Sequence, residues 1–237
     1  MGDESNIINF LSKSITYPLL HNCAAVTFAL ESANIVGYQN VPVDTGFVLF
    51  TPTFKGIGGE MPLSDIVIVA EDGSPSTVMG GVLVQKMDAS GAYLDTYAYF
   101  EGMGWIGADG VTIKPGEAIC VNNAEANTVY FRVSGEVDLV NKNKVGQGFV
   151  LWGNSTPVTV NLSDITIVDA DGNELPIVGE IAAQKMDASG AYLDSYIYFA
   201  GMGWMGADGI TLTPGESLCI NNTGMVDVFL KVPSPVK

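Results

Sequence analysis

Residues 85–95 read QKMDASGAYLD, and the same eleven residues stand again, unchanged, at 184–194. The offset of 99 extends beyond that match: Leu63-Ser64-Asp65-Ile66 pairs with Leu162-Ser163-Asp164-Ile165, and Asn122-Asn123 with Asn221-Asn222. The chain is a tandem duplication, and the repeat length says of what. Solenoid and propeller units usually run about 20–50 residues, because each is a supersecondary piece that cannot bury its own apolar face. A unit of 99 residues is the size of a small domain with its own core. The sequence divides into an N-terminal arm or atypical signal segment (1–32), a first repeat (33–133) and a second (134–237). The junction at residues 131–140, FRVSGEVDLV, carries no Pro/Ser-rich linker. The last strand of one copy should therefore run almost directly into the first of the next, giving a stiff pair.

Strand signals fill both copies. Asp72-Gly73, Ser90-Gly91, Asp109-Gly110, Pro115-Gly116 and Asn122-Asn123 punctuate the first at short intervals, and such pairs supply the positive φ angles of tight turns. Between them lie β-branched and aromatic runs at 47–50, 66–69, 82–87, 93–100, 118–121 and 129–133. Short strands with frequent turns and no helical period predict an all-β chain of two tandem antiparallel β-sandwich domains, jelly-roll or immunoglobulin-like.

Inside the strand 93–100, a period of two separates Leu94, Thr96, Ala98 and Phe100 from Tyr93, Asp95, Tyr97 and Tyr99. The second copy repeats the division, with Leu193, Ser195, Ile197 and Phe199 against Tyr192, Asp194, Tyr196 and Tyr198. The first set of each reads as a core side. The tyrosine sets, with Trp105 and Trp204 in the following loop, read as a contact face: Tyr offers a rigid apolar ring with a polar tip, suited to sugars or to another protein. The plainer alternative is that tyrosines are simply good strand residues on a half-exposed sheet.

Divergence between the copies is uneven. From Gln85 to Asn123, 29 of 39 positions match their counterparts, whereas from Leu63 to Val84 only 9 of 22 do. Drift after one duplication should be uniform, so something has held or homogenised the later block. Its changes include Thr96/Ser195, Ile106/Met205 and Val111/Ile210, swaps that a packed core tolerates. A shared contact surface accounts better for the retained Tyr, Asp and Trp.

Composition narrows the chemistry. The formal net charge is −16, and Arg132 is the one arginine. A nucleic-acid binder needs clustered Lys/Arg to neutralise phosphates, and anionic membrane surfaces are disfavoured for the same reason. One histidine and no CxxC leave no ordinary zinc or redox site. Asp88, Asp109, Asp187 and Asp208 sit in turns beside backbone carbonyls and are the Ca²⁺ candidates. Asp at such a place usually caps its own turn, so no cofactor is expected beyond that one possibility. His21 lies outside both repeats, so neither copy holds a Ser-His or Cys-His pair. Asp88 and Asp95, in a turn and on an exposed face, lack the burial that tunes a glycosidase pair. The chain reads as no enzyme. Cys120 and Cys219 are equivalent and single in each copy, so they read as buried free thiols. Cys23 stands apart in the N-terminal segment.

That segment combines a short amphipathic stretch at 6–15 (NIINFLSKSI), stopped by Pro18, with an apolar stretch at 19–30 (LLHNCAAVTFAL) too short to span a bilayer. An apolar arm of this kind can add a strand to a neighbour's sheet edge. The repeat opening Asn34-Ile35-Val36-Gly37-Tyr38-Gln39, the link Gly135-Glu136-Val137-Asp138-Leu139-Val140-Asn141-Lys142 and the Pro-Gly-Glu turn followed by Asn-Asn resemble segments of secreted bacterial proteins with the same tandem β-repeat. The resemblance implies a surface or extracellular bacterial setting and says nothing of catalysis. Two functions from different classes follow as expectations. One is a structural protein that self-associates through sheet edges or tyrosine faces into a layer or filament, as a homo-oligomer or polymer. The other is a tandem carbohydrate-binding module with one site per repeat, gaining avidity for a polysaccharide.

Overall fold

The computed structural model describes residues 36–138 and 142–233. The expected N-terminal arm, with His21 and Cys23, lies outside the described residues. The first repeat contributes β1 (Val36–Val43), β2 (Gly46–Phe50), β3 (Met61–Pro62), β4 (Val67–Val69), β5 (Met79–Met87), β6 (Tyr93–Phe100), β7 (Gly104–Ile106), β8 (Thr112–Ile113), β9 (Ile119–Asn123) and β10 (Val129–Glu136). The second repeats the order as β11 (Lys142–Val145), β12 (Gly148–Gly153), β13 (Val160–Asn161), β14 (Thr166–Val168), β15 (Val178–Met186), β16 (Tyr192–Phe199), β17 (Gly203–Met205), β18 (Thr211–Leu212), β19 (Ser217–Asn222) and β20 (Val228–Lys231). The only helical elements among the described residues are two 3-10 turns, Leu63–Asp65 and Leu162–Asp164. The described residues are all-β, as the turn spacing predicts.

Each repeat builds the same three antiparallel sheets. In the first they are ordered β1-β10-β4, β2-β9-β5-β6-β7 and β3-β8; in the second, β11-β20-β14, β12-β19-β15-β16-β17 and β13-β18. One buried cluster joins the larger two within the first repeat: Val41, Ile68, Phe131 and Val133 from the three-stranded sheet meet Phe50, Val82, Val84 and Val121 from the five-stranded one. A second, separate cluster does the same in the other repeat, around Trp152, Ile181, Ile220 and Leu230. Burying such a side chain fully is worth about 1.5–3 kcal/mol, so each repeat has a core large enough to hold its sheets.

The expected strands at 47–50, 82–87, 93–100 and 129–133 are all present. Alternation also places Cys120 and Cys219 correctly, as buried free thiols. Both belong to a third, smaller cluster with Leu49, Ala118 and Leu151, flanked by Phe47, Met87, Phe149 and Met186. Its members come from both repeats, so the copies share a packed seam. β10 ends at Glu136 and β11 begins at Lys142, with residues 139–141 between them outside the described set.

Candidate functional site

The tyrosine strand is bulged, and that decides which side chains face out. Gln85 pairs with Thr96 but Met87 with Tyr93, so Lys86 opposes both Leu94 and Asp95. In the second copy Gln184 pairs with Ser195 and Met186 with Tyr192. One extra residue in a strand moves everything beyond it to the other face, because side chains alternate with a period of two. Tyr97 and Tyr99 therefore point inward, and Tyr93 points out with Met87.

This corrects the expected contact face. Tyr99 and Trp105 are 4 % and 7 % exposed and lie in the first core, against which Tyr97 packs. Tyr196, Tyr198 and Trp204 are buried in the second. Trp105 Nε1–H donates to the Ile66 carbonyl at 2.8 Å, and Trp204 Nε1–H to that of Ile165 at 2.9 Å. Each ring meets its tyrosine edge-on, with centroids 5.1 Å apart for Tyr99–Trp105 and 5.3 Å for Tyr198–Trp204. Burial raises the Tyr99 and Tyr198 hydroxyl pKa above the ordinary phenol value. Of the expected face, Asp95 and Asp194 stay exposed on the strand, as do Tyr93 and Tyr192 at 40 % and 38 %. The core side is corrected with it: Ala98 and Phe100 lie on the outer face, paired with Leu83 and Met79.

Tyr93 and Tyr192 meet each other across the seam between repeats. Their hydroxyl oxygens are 3.4 Å apart. Tyr93 O–H reaches Met186 Sδ at 4.0 Å and Tyr192 O–H reaches Met87 Sδ at 3.9 Å. Burial pushes Tyr93 up to about 12, and Tyr192 shifts upward for the same reason.

The duplicated hairpins extend this reciprocity. The Ala89 carbonyl accepts from Phe149 N–H at 3.0 Å, and the Ala188 carbonyl accepts from Phe47 N–H at 3.0 Å. At their far ends the same strands meet the Pro-Gly-Glu turns. Gly153 N–H donates to the Gly116 carbonyl at 3.1 Å and Thr51 N–H to that of Gly215 at 2.9 Å. Bridges Trp152–Glu117 and Phe50–Glu216 complete the pair. These contacts each occur twice with the repeats exchanged, which is the pattern of a two-fold, isologous dimer built inside one chain. β2 and β12 are edge strands of their five-stranded sheets. An open edge invites pairing with other chains, and here each repeat covers the other's.

The seam accounts for the exact retention of QKMDASGAYLD. Met87, the Asp88–Gly91 turn and Tyr93 all serve the inter-repeat contact, and so must suit the same surface in each copy. Lys86 instead ties the block to the Pro-Gly-Glu turn, with Nζ 2.7 Å from Glu117 Oε1 and 2.8 Å from the Thr112 carbonyl. Asn123 Nδ2 donates to the Val43 and Asn127 carbonyls at 3.0 and 3.1 Å. The equivalence of the two partner strands is hidden at an offset of 99, because Gly46-Phe47-Val48-Leu49 recurs as Gly148-Phe149-Val150-Leu151, 102 residues later.

The turn aspartates behave as capping groups. Asp88 Oδ1 accepts from Ser90 N–H (2.8 Å), Ser90 O–H (2.6 Å) and Ala92 N–H (3.0 Å), and Asp187 does the same for Ser189 and Ala191. Asp109 and Asp208 are exposed. Among the described residues no group of three or more His, Cys, Asp and Glu is placed to hold a metal ion. The Ser90 side chain is the largest influence holding Asp88 below its ordinary value of 3.8, and Ser189 does this for Asp187. A carboxylate depressed in the folded state adds stability that is complete above the unfolded value and disappears as pH falls through the folded one. Acid titration below pH 3.8 should therefore loosen both hairpins and the seam they hold. The acid limb of a thermal-melt profile should be shallower in an Asp88→Ala/Asp187→Ala variant than in the parent, and an unchanged limb would show that the turns do not couple to stability.

No family model, no curated protein and no solved structure matches the chain.

What the five-stranded sheets leave uncovered is in large part apolar, interrupted by the Gln85–Thr96 and Gln184–Ser195 pairs. Their outer face is buried by the sister repeat near β2 and β9, but not near β6 and β7. There Met79, Met103 and Ile106 are exposed at 64 %, 65 % and 47 %, as are the equivalent Val178, Met202 and Met205. Leu83, Ala98 and Ile106 form one row across three strands; Ala182, Ile197 and Met205 form its counterpart. Elsewhere, Tyr38, Arg132 and Ser134 line a shallow depression on the three-stranded sheet, where Arg132 is already engaged by Asn40 Oδ1 and the Gly73 carbonyl. Among the described residues no helix is long and apolar enough to cross a membrane.

Proposed function

We propose that this chain is a non-catalytic structural module of the bacterial surface or extracellular space: two β-sandwich domains clamped into one stiff body that self-associates. The observation carrying this reading is how the retained residues are used. Tyr97, Tyr99 and Trp105 pack in or against the core, Asp88 caps a turn, and Tyr93 and Met87 hold the sister repeat. The repeat thus spends its distinctive residues on rigidity and leaves apolar sheet facing out. Exposed apolar surface rimmed by polar residues is typical of protein contact sites. The carbohydrate-binding alternative loses its support, since its stacking rings lie inside the two cores.

Sedimentation velocity and negative-stain microscopy of the full chain over a concentration series test the proposal. Species larger than the 25.0 kDa monomer that grow with concentration are the expected result. A single monomeric species throughout would overturn it.

A further inference from the structure

Resting on that reading, we infer that the outer face of β5-β6-β7 in one chain stacks on the outer face of β15-β16-β17 in a second copy, head to tail. Three observations carry this. The exposed face continues a contact already made. Its row Leu83–Ala98–Ile106 is the extension of Phe47 and Asn122, and Phe47 belongs to the seam with the sister repeat. One end of this row is thus already covered by the sister repeat.

The apolar character of the free half persists while its residues change. Met79 becomes Val178, Ile106 becomes Met205, and Met103 stays as Met202. A solvated sheet surface is free to drift to polar residues, and between the copies none of these three positions has done so.

The two faces are also complementary in relief. Leu83 and Ala98 are direct cross-strand partners, and so are their equivalents Ala182 and Ile197. The first face is therefore large on β5 and small on β6, and the second is small on β15 and large on β16. Stacking row on row sets Leu83 over Ala182 and Ile197 over Ala98, with Ile106 over Met205. Like faces stacked the same way would oppose bulk to bulk at two of the three positions and leave alanine on alanine at the third, whereas here only Ile106 and Met205 meet large on large. Because each chain carries one face of each kind, the contact propagates, as heterologous contacts do. An acidic group flanks each face, Glu125 on one and Glu180 on the other; the Glu125 side chain lies over Gly81 beside the first face. Screening favours the contact, and at 1 M salt the Debye length is about 3 Å.

The test uses full-length chains at high salt. Met205→Glu alone should leave only the 25.0 kDa monomer, since every head-to-tail contact needs the second face. Ile106→Lys alone should do the same. Mixing the two should restore polymers, because the ammonium introduced by Ile106→Lys in one chain then meets the carboxylate introduced by Met205→Glu in the other, while the unaltered faces still pair. Both positions are about half exposed, so near-UV circular dichroism should confirm an intact fold in each. Dimers persisting in Met205→Glu would mean like-with-like pairing and overturn the inference, as would a mixture that stays monomeric. Assembly unaffected by either variant would sink this surface and leave self-association standing on another. A parent chain monomeric under all conditions would sink both.

Discussion

Gly148→Ala is expected to destabilise the chain by about 3–4 kcal/mol, two to three times the effect of Gly209→Ala, although both glycines hold nearly the same backbone conformation. Their φ angles are 82° and 73°, in the region where a Cβ costs roughly 1–2 kcal/mol. What differs is the surroundings. A Cβ on Gly148 would stand 2.2 Å from the Ala89 carbonyl oxygen, whereas one on Gly209 would meet nothing within 4 Å. The Ala89 oxygen accepts from Phe149 N–H at 3.0 Å, so relieving the clash forces the hairpin off β12 and breaks that bond, a further loss of about 0.5–1.5 kcal/mol. Collateral loosening of the methionine and tyrosine contacts at the seam supplies the remainder.

The reciprocal design makes a second expectation equally sharp. A Cβ on Gly46 would lie 2.3 Å from the Ala188 oxygen, so Gly46→Ala should match Gly148→Ala within about 0.5 kcal/mol. Urea denaturation followed by tryptophan fluorescence measures all three, with additivity expected to fail in the Gly46→Ala/Gly148→Ala double variant because both act on one seam. In that variant the two cores should melt in separate steps, since what couples them has been opened. Equal, small losses for Gly148→Ala and Gly209→Ala would show that the repeats do not depend on the seam.

How much of this was legible in the sequence follows from the range of each signal. Strands and turns were readable because their causes are local: Asp-Gly and Pro-Gly pairs set φ, and β-branched runs fill the intervals. The buried thiols were readable because alternation in Ala118-Ile119-Cys120-Val121 is unbroken. The facing of the tyrosine strand was not. A bulge at Leu94-Asp95 shifts the period by one residue, and nothing in QKMDASGAYLD distinguishes a bulged strand from a regular one. Tyr93 and Tyr97, assigned to one face by counting, therefore lie on opposite faces. The seam was hidden for a different reason. It joins Ala89 to Phe149 and Ala188 to Phe47, pairs with no common spacing, and only the geometry of the two folded repeats brings them together. Its trace was nonetheless visible in the uneven divergence of the copies. Of the retained block, Met87, the Asp88–Gly91 turn and Tyr93 face the sister repeat, while Tyr97, Tyr99 and Trp105 serve the core.

Trp204→Ala should cost about 3–5 kcal/mol, the range for deleting a large buried aromatic side chain, and Trp105→Ala a similar amount in the first repeat. A tryptophan presented on a surface for ligands would behave otherwise, since exposed substitutions away from special features usually fall within about 0.5 kcal/mol of neutral. The two locations of the ring, core or contact face, thus predict losses that differ severalfold. Trp204→Phe separates packing from hydrogen bonding. It keeps most of the ring volume and its edge-on contact with Tyr198 but removes the donor that meets the Ile165 carbonyl at 2.9 Å. Ile165 is fully buried, so no water replaces the donor, and an unsatisfied buried acceptor costs about 1–3 kcal/mol. The expected order is parent, then Trp204→Phe, then Trp204→Ala, read as urea midpoints at constant m-value. Near-UV circular dichroism should lose the Trp204 signal in both variants while far-UV strand signal persists below the transition. A near-neutral Trp204→Ala would return the ring to the surface and reopen the reading of this face as a ligand platform.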